Sequence, residues 1–169
     1  MTQTHYAQHG LFHITTNSKD GIPWLTLSGV PEMIIDNLVM TKNLYKSELF
    51  AFCIVPDHMH LIVSPGERGL SAFMHSFKRN AMRDIRNYYN VRSGRSRSSA
   101  TNSLVTTNNI TWQKSFHDEH ILTNKQRARA MRYVHNNAFG HKLVSNPSDW
   151  PWTSLNFENL LDPLDIWIE

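Results

Sequence analysis

Hydrophobic and polar positions change period several times along this chain, and each change predicts an element. Gly10-Leu11-Phe12-His13-Ile14-Thr15-Thr16 is rich in β-branched and aromatic residues and predicts a first strand. Residues 17–29 are turn-rich, with Asp20-Gly21 and Pro23 as breakers. Pro31 suits a first helical turn, and Ile34, Leu38, Thr41 and Tyr45 follow at helical spacing, which predicts a helix over 31–47. The apolar run over 50–55 predicts a buried strand. After the break at Pro56-Asp57, His58-Met59-His60-Leu61-Ile62-Val63 predicts a second strand, antiparallel to the first of this pair, and Pro65-Gly66 stops it.

Period 3.6 returns over 71–89, where Phe73, Phe77, Ala81, Ile85 and Tyr88 or Tyr89 form an apolar stripe. The opposite side carries Lys78, Arg79, Arg83 and Arg86 with one acid, Asp84, among them. Residues 92–109 hold arginine, serine, threonine and asparagine and predict a flexible basic loop. A final strand is expected over 110–116. Asn124 is a good N-cap for a helix over 125–138, whose inward stripe is Arg127, Met131, Val134 and Ala138. Tyr133 and Asn137, four apart, share a face well off that stripe. Gly140 ends the helix, and an aromatic tail over 148–169 follows. In it, Trp150 and Trp152 either lock the tail onto the domain or stack on nucleobases.

Composition narrows the class. With 169 residues, 40 % hydrophobic and 18 % charged, the chain is expected to be one globular domain with a real core. A net charge of +3 and a pI of about 9.1 permit a nucleic-acid partner. The one cysteine, Cys53, lies in an apolar run, which fits a reducing cytoplasm. No stretch reads as a signal peptide or a membrane span, so a cytoplasmic location without a membrane partner is expected.

The chemistry begins at His58 and His60. Strand side chains alternate, so both imidazoles point one way while Met59, Leu61 and Val63 point into a core. Two imidazoles on one rigid strand make half of a divalent-metal site; the plain alternative is two histidines on a solvated face. His117-Asp118-Glu119-His120 holds ligand types too, but adjacent side chains diverge, so a role in folding or DNA contact is expected instead. The basic face of the 71–89 helix is either solvated surface or a phosphate-binding surface.

Three motifs taken together carry a resemblance: Pro56-Asp57-His58-Met59-His60-Leu61-Ile62, then Trp112-Gln113-Lys114-Ser115-Phe116-His117-Asp118-Glu119-His120, then Tyr133-Val134-His135-Asn136-Asn137. From about Phe12 to Ser154 the chain resembles the HUH single-tyrosine transposases of the IS200-like superfamily, in particular the branch associated with repetitive extragenic palindromes (REP). The resemblance implies an α+β ferredoxin-like sandwich, an antiparallel sheet with helices mainly on one face. It implies His58, His60 and Asn137 as ligands of Mg²⁺ or Mn²⁺, and Tyr133 as the nucleophile. Lys78, Arg79, Arg83 and Arg86 are the DNA-binding residues expected beside them. The implied activity is cutting and rejoining of single-stranded or hairpin DNA through a 5′-phosphotyrosine, by a monomer or homodimer in a nucleoid-associated setting. Two features depart from the family pattern: Ala138 stands where proline usually follows the asparagine, and the 92–109 loop is longer than usual.

The chemistry is coherent in itself. A phenol with a pKa near 10 is a weak nucleophile at neutral pH, and a metal ion on a phosphate oxygen offsets that weakness. Attack on phosphorus by tyrosine conserves the ester linkage, so a 3′-hydroxyl can reverse it. Two rivals stand beside this reading: a catalytically silent hairpin-binding protein, and a metal-dependent phosphohydrolase or nuclease that does not use Tyr133. Tyr88, Tyr89, Tyr45 and Tyr6 are weaker nucleophile candidates.

Overall fold

The computed structural model describes residues 7–93 and 108–164. Strand β1 (Leu11–Asn17) leads through a short 3₁₀ turn to helix α1 (Val30–Tyr45). Strands β2 (Glu48–Val55) and β3 (His58–Ser64) form a hairpin, and the long helix α2 (Gly69–Ser93) follows. Beyond the basic segment come β4 (His117–Ile121), α3 (Asn124–His135) and the single turn α4 (Asn137–Gly140). The strands pair antiparallel in the order β2-β3-β1-β4. A βαββαβ chain in that order is the expected ferredoxin-like α+β sandwich.

Alternation along the strands gives the sheet two dissimilar faces. Phe12, Ile14, Phe52, Ile54, Met59, Leu61 and Val63 point to one side and join Ile34, Leu38, Phe73, Phe77 and Ile85 of α1 and α2 in the larger core. Leu11, Ala51, Cys53, Val55, Ile62 and Ile121 point to the other and pack under Ala130, Val134 and Ala138. Helices therefore lie mainly on the first face, while α3 and α4 cover the second. The histidine strand is not the solvated face that period-2 alternation alone allows.

Three expectations shift. The last strand is His117–Ile121, not 110–116. Ile110 and Trp112 are drawn into the larger core instead, with Trp112 edge-on to Trp24 at a centroid distance of 4.7 Å. The segment meets the end of β1 through a bridge to Ser18 and through the Gln113 amide, which donates to the Asn17 carbonyl at 2.8 Å. β4 tolerates its charged sequence because it lies at the sheet edge, where only one neighbour is needed. The N-cap of α3 is Thr123, not Asn124: Thr123 and Gln126 form a reciprocal capping box. Finally, the predicted 125–138 helix is broken at Asn136, whose φ of −91° and ψ of 6° end α3 before α4 begins. The 92–109 loop lies almost wholly outside the described residues, as does Tyr6.

The tail from residue 148 is tied to the sheet. Trp150 donates its indole N–H to the carbonyl of Ile54 at 2.7 Å, and the Ile54 amide donates to the carbonyl of Trp152 at 2.9 Å. Both tryptophans thus lock the tail along the outer edge of β2. Asp162 accepts from the Leu49 amide and pairs with Lys42, each at 2.8 Å.

Gly66 packs against the end of α1 just past the C-terminus of β3, at the end of the β2–β3 pair away from its turn. A Cβ there would overlap the backbone oxygen of Tyr45 and stand 2.9 Å from that of Lys46. Backbone atoms held by a helix end cannot retreat cheaply. Gly66→Ala is expected to cost about 2 kcal/mol or more and to lower Tm by about 4–8 °C. A thermal melt equal to that of the parent would contradict this packing.

Candidate active site

β3 delivers His58 and His60 to the α3 side of the sheet, with ring centroids 5.0 Å apart. Each ring is fixed through Nδ1. His58 Nδ1 lies 2.7 Å from the Asp57 carboxylate, so its N–H donates there and Nε2 keeps the lone pair. His60 Nδ1 lies 3.1 Å from His13 Nε2 and 3.0 Å from the Thr15 hydroxyl. His13 Nδ1 in turn faces Glu119 at 3.7 Å. The tautomers that match donors to acceptors put the proton of His60 on Nδ1, donated toward His13, and that of His13 on Nδ1, toward Glu119. His60 Nε2 is then an acceptor, buried and without a hydrogen-bond partner.

Helix α3 brings the phenol. Ala130 and Val134 seat it on the second core, which leaves Tyr133 on its flank with 52 % of its surface exposed. The tyrosine ring stands edge-on to His60 at 5.1 Å and to His13 at 5.5 Å. The break at Asn136 then turns Asn137 inward, to 5 % exposure, with its side-chain oxygen buried and unpartnered. Tyr133 and Asn137 line one cleft although their burial is opposite. The proline usual in the family is not needed for this turn; Ala138 packs into the second core.

Two buried polar acceptors, His60 Nε2 and Asn137 Oδ1, have no internal partner, and a buried acceptor left unpaired is costly. A hard divalent cation that accepts nitrogen and oxygen donors fits that donor set. Among the described residues, no three His, Cys, Asp or Glu side chains gather as a ligand set by themselves.

Burial, with His13, His58 and His141 nearby, holds the His60 imidazole down at about 3. It is therefore neutral, its lone pair available, throughout the ordinary pH range. Burial also lowers His13, against the opposing pull of Glu119. The Cys53 thiol, beside His60 on the neighbouring strand, is pushed up to about 12 by burial, which makes it inert as a nucleophile.

The α2 cations divide. Lys78 donates to the carbonyls of Gln113 at 2.7 Å and Ser115 at 3.1 Å, and burial lowers its ammonium to about 8. Arg86 donates to the carbonyl of Ile110. These two hold the 110–115 segment against α2. Arg83 pairs with its neighbour Asp84 at 3.1 Å in an exposed position, and Arg79 lines a groove between α2 and that segment.

Sequence reasoning misses several residues. His13 and Thr15 repeat the i, i+2 spacing of His58 and His60, but only the β1–β3 register shows that they face His60. His141, 4.9 Å from His58 between ring centroids, arrives through the α4 turn, which no spacing rule signals. Arg129, Arg132 and Phe139 line the cleft beside Tyr133. The basic character of 125–132 is visible in the sequence; its proximity to the histidines is not.

The family model described as transposase IS200 like matches residues 8–137, and the chain belongs to that family. A curated protein of Haemophilus influenzae described as a REP-associated tyrosine transposase is 26 % identical over 118 residues. That match covers 66 % of this chain and 61 % of the relative, so the chain spans about three-fifths of that protein's length. Among solved structures, a REP-associated tyrosine transposase bound to a REP hairpin superposes with a TM-score of 0.69 at 21 % identity, covering 100 % of this chain and 92 % of that one. A protein from Deinococcus radiodurans described as a transposase gives 0.52 at 17 % identity, over 80 % of this chain and 97 % of that one. These two likenesses are of fold.

The lowered His60 has a measurable consequence. In the unfolded chain this group titrates near 6.5, so between about 6.5 and 3 the unfolded state binds more protons than the folded one. Its contribution is intact above pH 6.5 and is lost progressively as pH falls. Urea unfolding of EDTA-treated protein from pH 7 to 4 should show stability falling with acid. His60→Gln should flatten that slope by up to one proton, about 1.4 kcal/mol per pH unit. Identical slopes would mean that His60 is not buried neutral.

Proposed function

We propose that this chain is a metal-dependent endonuclease and strand transferase acting on single-stranded DNA near hairpins. Membership of a transposase family supports the general class. The observation that carries the finer reading is the half-exposed phenol of Tyr133 edge-on to a buried imidazole whose outer nitrogen has no partner. His58, His60 and Asn137 are the side chains that would hold Mg²⁺ or Mn²⁺. When bound, such an ion neutralises charge on the attacked phosphate.

The chain's own residues do the rest. Asp57 fixes the tautomer of His58, and His13 with Thr15 fixes that of His60, so both rings present Nε2 to the site. Val134 and Ala130 anchor α3 so that Tyr133 reaches the cleft without leaving its helix. The tyrosine oxygen forms a bond to phosphorus as the P–O3′ bond breaks. The phenolic proton leaves to solvent and one is taken up by the departing 3′-oxygen. A 3′-hydroxyl attacking the phosphotyrosine reverses the same exchange, so cutting and rejoining use one set of groups. DNA in a nucleoid setting is the partner this chemistry needs. Among the described residues no helix is long and apolar enough to cross a membrane.

Tyr133→Phe keeps the ring and its packing and removes the hydroxyl. With a hairpin-bearing single strand and Mg²⁺, the parent should yield a protein–DNA adduct by mass spectrometry, mapped to Tyr133. The variant should bind the same strand within about twofold, form no adduct, and cut at least about 10³-fold more slowly. EDTA, His58→Ala and His60→Ala should each suppress the adduct. Cleavage that survives in Tyr133→Phe without an adduct would install the hydrolase reading; absence of cleavage and adduct in the parent would leave a silent DNA binder.

Arg79 and Arg83, two α2 cations that do not hold the 110–115 segment, are proposed to bind phosphates, with Lys78 and Arg86 shaping that surface. Removing one phosphate-binding cation should lower the slope of log affinity against log salt by about 0.7–0.9. Arg79→Ala with Arg83→Ala therefore takes about 1.5 from the slope. An unchanged slope would make this face solvated surface.

A further inference from the structure

Of the eight phenylalanines, all among the described residues, Phe139 alone is exposed. It is 52 % exposed and belongs to neither hydrophobic core, although Ala138 beside it is buried. It lies on α4, directly after the break at Asn136, and lines a cleft of about 550 Å³ with Tyr133, Arg129, Arg132, Asn137 and His141. That volume is in the range of small-ligand clefts.

The charges of this cleft choose its occupant. Arg132 is exposed and makes no ion pair among the described residues, and Arg129 spends one nitrogen on Glu119 at 3.1 Å. No carboxylate lines the cleft. An apolar ring flanked by guanidinium groups suits a flat aromatic group that carries an anion: a nucleobase with its phosphate. Acidic peptides match the arginines but leave the ring unused, and an apolar partner leaves the arginines unpaired.

We infer that the α3–α4 cleft is a subsite for one unpaired nucleotide adjoining the phosphate attacked by Tyr133, with its base stacked on Phe139 and its phosphate held by Arg132. The inference rests on the reading of Tyr133 as nucleophile and adds to it a reason for strand choice. A base stacked between neighbours in a duplex offers no free face to Phe139, whereas an unpaired base does. Phe139 is a positioning residue: it sets where the backbone lies relative to the phenol. It requires no base identity, because every base has a flat face.

The test is a binding cycle on the full chain carrying Tyr133→Phe, which removes turnover. One probe is fluorescent oligo(dT) of twelve nucleotides; the other is a strand of equal length and charge made wholly of abasic tetrahydrofuran units. Phe139→Ala should weaken oligo(dT) binding roughly 5- to 100-fold and leave abasic binding unchanged. Phe139→Leu keeps apolar bulk without a ring and should behave like the alanine variant, while Phe139→Trp should restore or exceed parent affinity. Arg132→Ala should weaken both probes alike and lower the salt slope by about 0.7. Unchanged oligo(dT) affinity in Phe139→Ala, rescue by leucine, or equal weakening on both probes would each overturn the stacking subsite. Adduct formation by the unmodified protein is scored separately. An adduct without the binding cycle sinks this inference alone, and the cycle without an adduct sinks the nuclease reading while the base subsite stands.

Discussion

Thr15 stands opposite His60 because β1 and β3 pair in a single register, and the site depends on that pairing. A slip of one residue would exchange the faces of β1, carrying Phe12 and Ile14 toward the histidines and His13 and Thr15 into the larger core. Both cores forbid the slip, since β1 and β3 each bury apolar side chains on both sides of the sheet. The polar contacts around His60 therefore need not specify their own geometry. Hydrophobic packing sets the backbone, and the contacts of His60 Nδ1 with His13 and Thr15 choose the tautomer on a frame already fixed.

Burial divides the site into a dry half and a wet half. His60 and Asn137 are nearly inaccessible, whereas Tyr133 is half-exposed on the flank of α3. The dry side keeps its imidazole neutral and its acceptors short of partners. The wet side leaves the phenol within reach of a large polyanion that has to approach from solvent. One helix achieves both because its apolar stripe is narrow, resting on Ala130 and Val134, and because the chain turns at Asn136 before Asn137.

Much of the frame is legible in the sequence because it rests on periodicity. The histidine strand and the stripe of α2 follow from periods of 2 and 3.6, β2 from an unbroken apolar run, and the first strand from its β-branched and aromatic residues. The likeness to a family, and with it the expected sandwich, comes from motif order. What is not legible depends on tertiary competition. Residues 110–116 carry strand-forming types, but Ile110 and Trp112 serve the core better than a ladder. His117 to His120 looks too polar for a strand, yet an edge strand tolerates it. The turn at Asn136 has no proline or glycine to announce it, so the burial of Asn137 and the arrival of His141 beside His58 stay hidden. Asp57 reads in the sequence as part of a break, whereas in the fold its carboxylate orients the next residue's ring.

The strap formed by Trp150 and Trp152 bears on the order in which the molecule can be completed. β2 gains its outer neighbours from residues 150–153 and from Asp162, about a hundred positions later in the chain. During synthesis the β2–β3 hairpin emerges early, with an edge of free amides and carbonyls on the strand next to the histidines. Until the strap arrives, that edge is open to pairing with another nascent chain. A tail that looks like an appendage is in this sense the closing step of the sheet that carries the site.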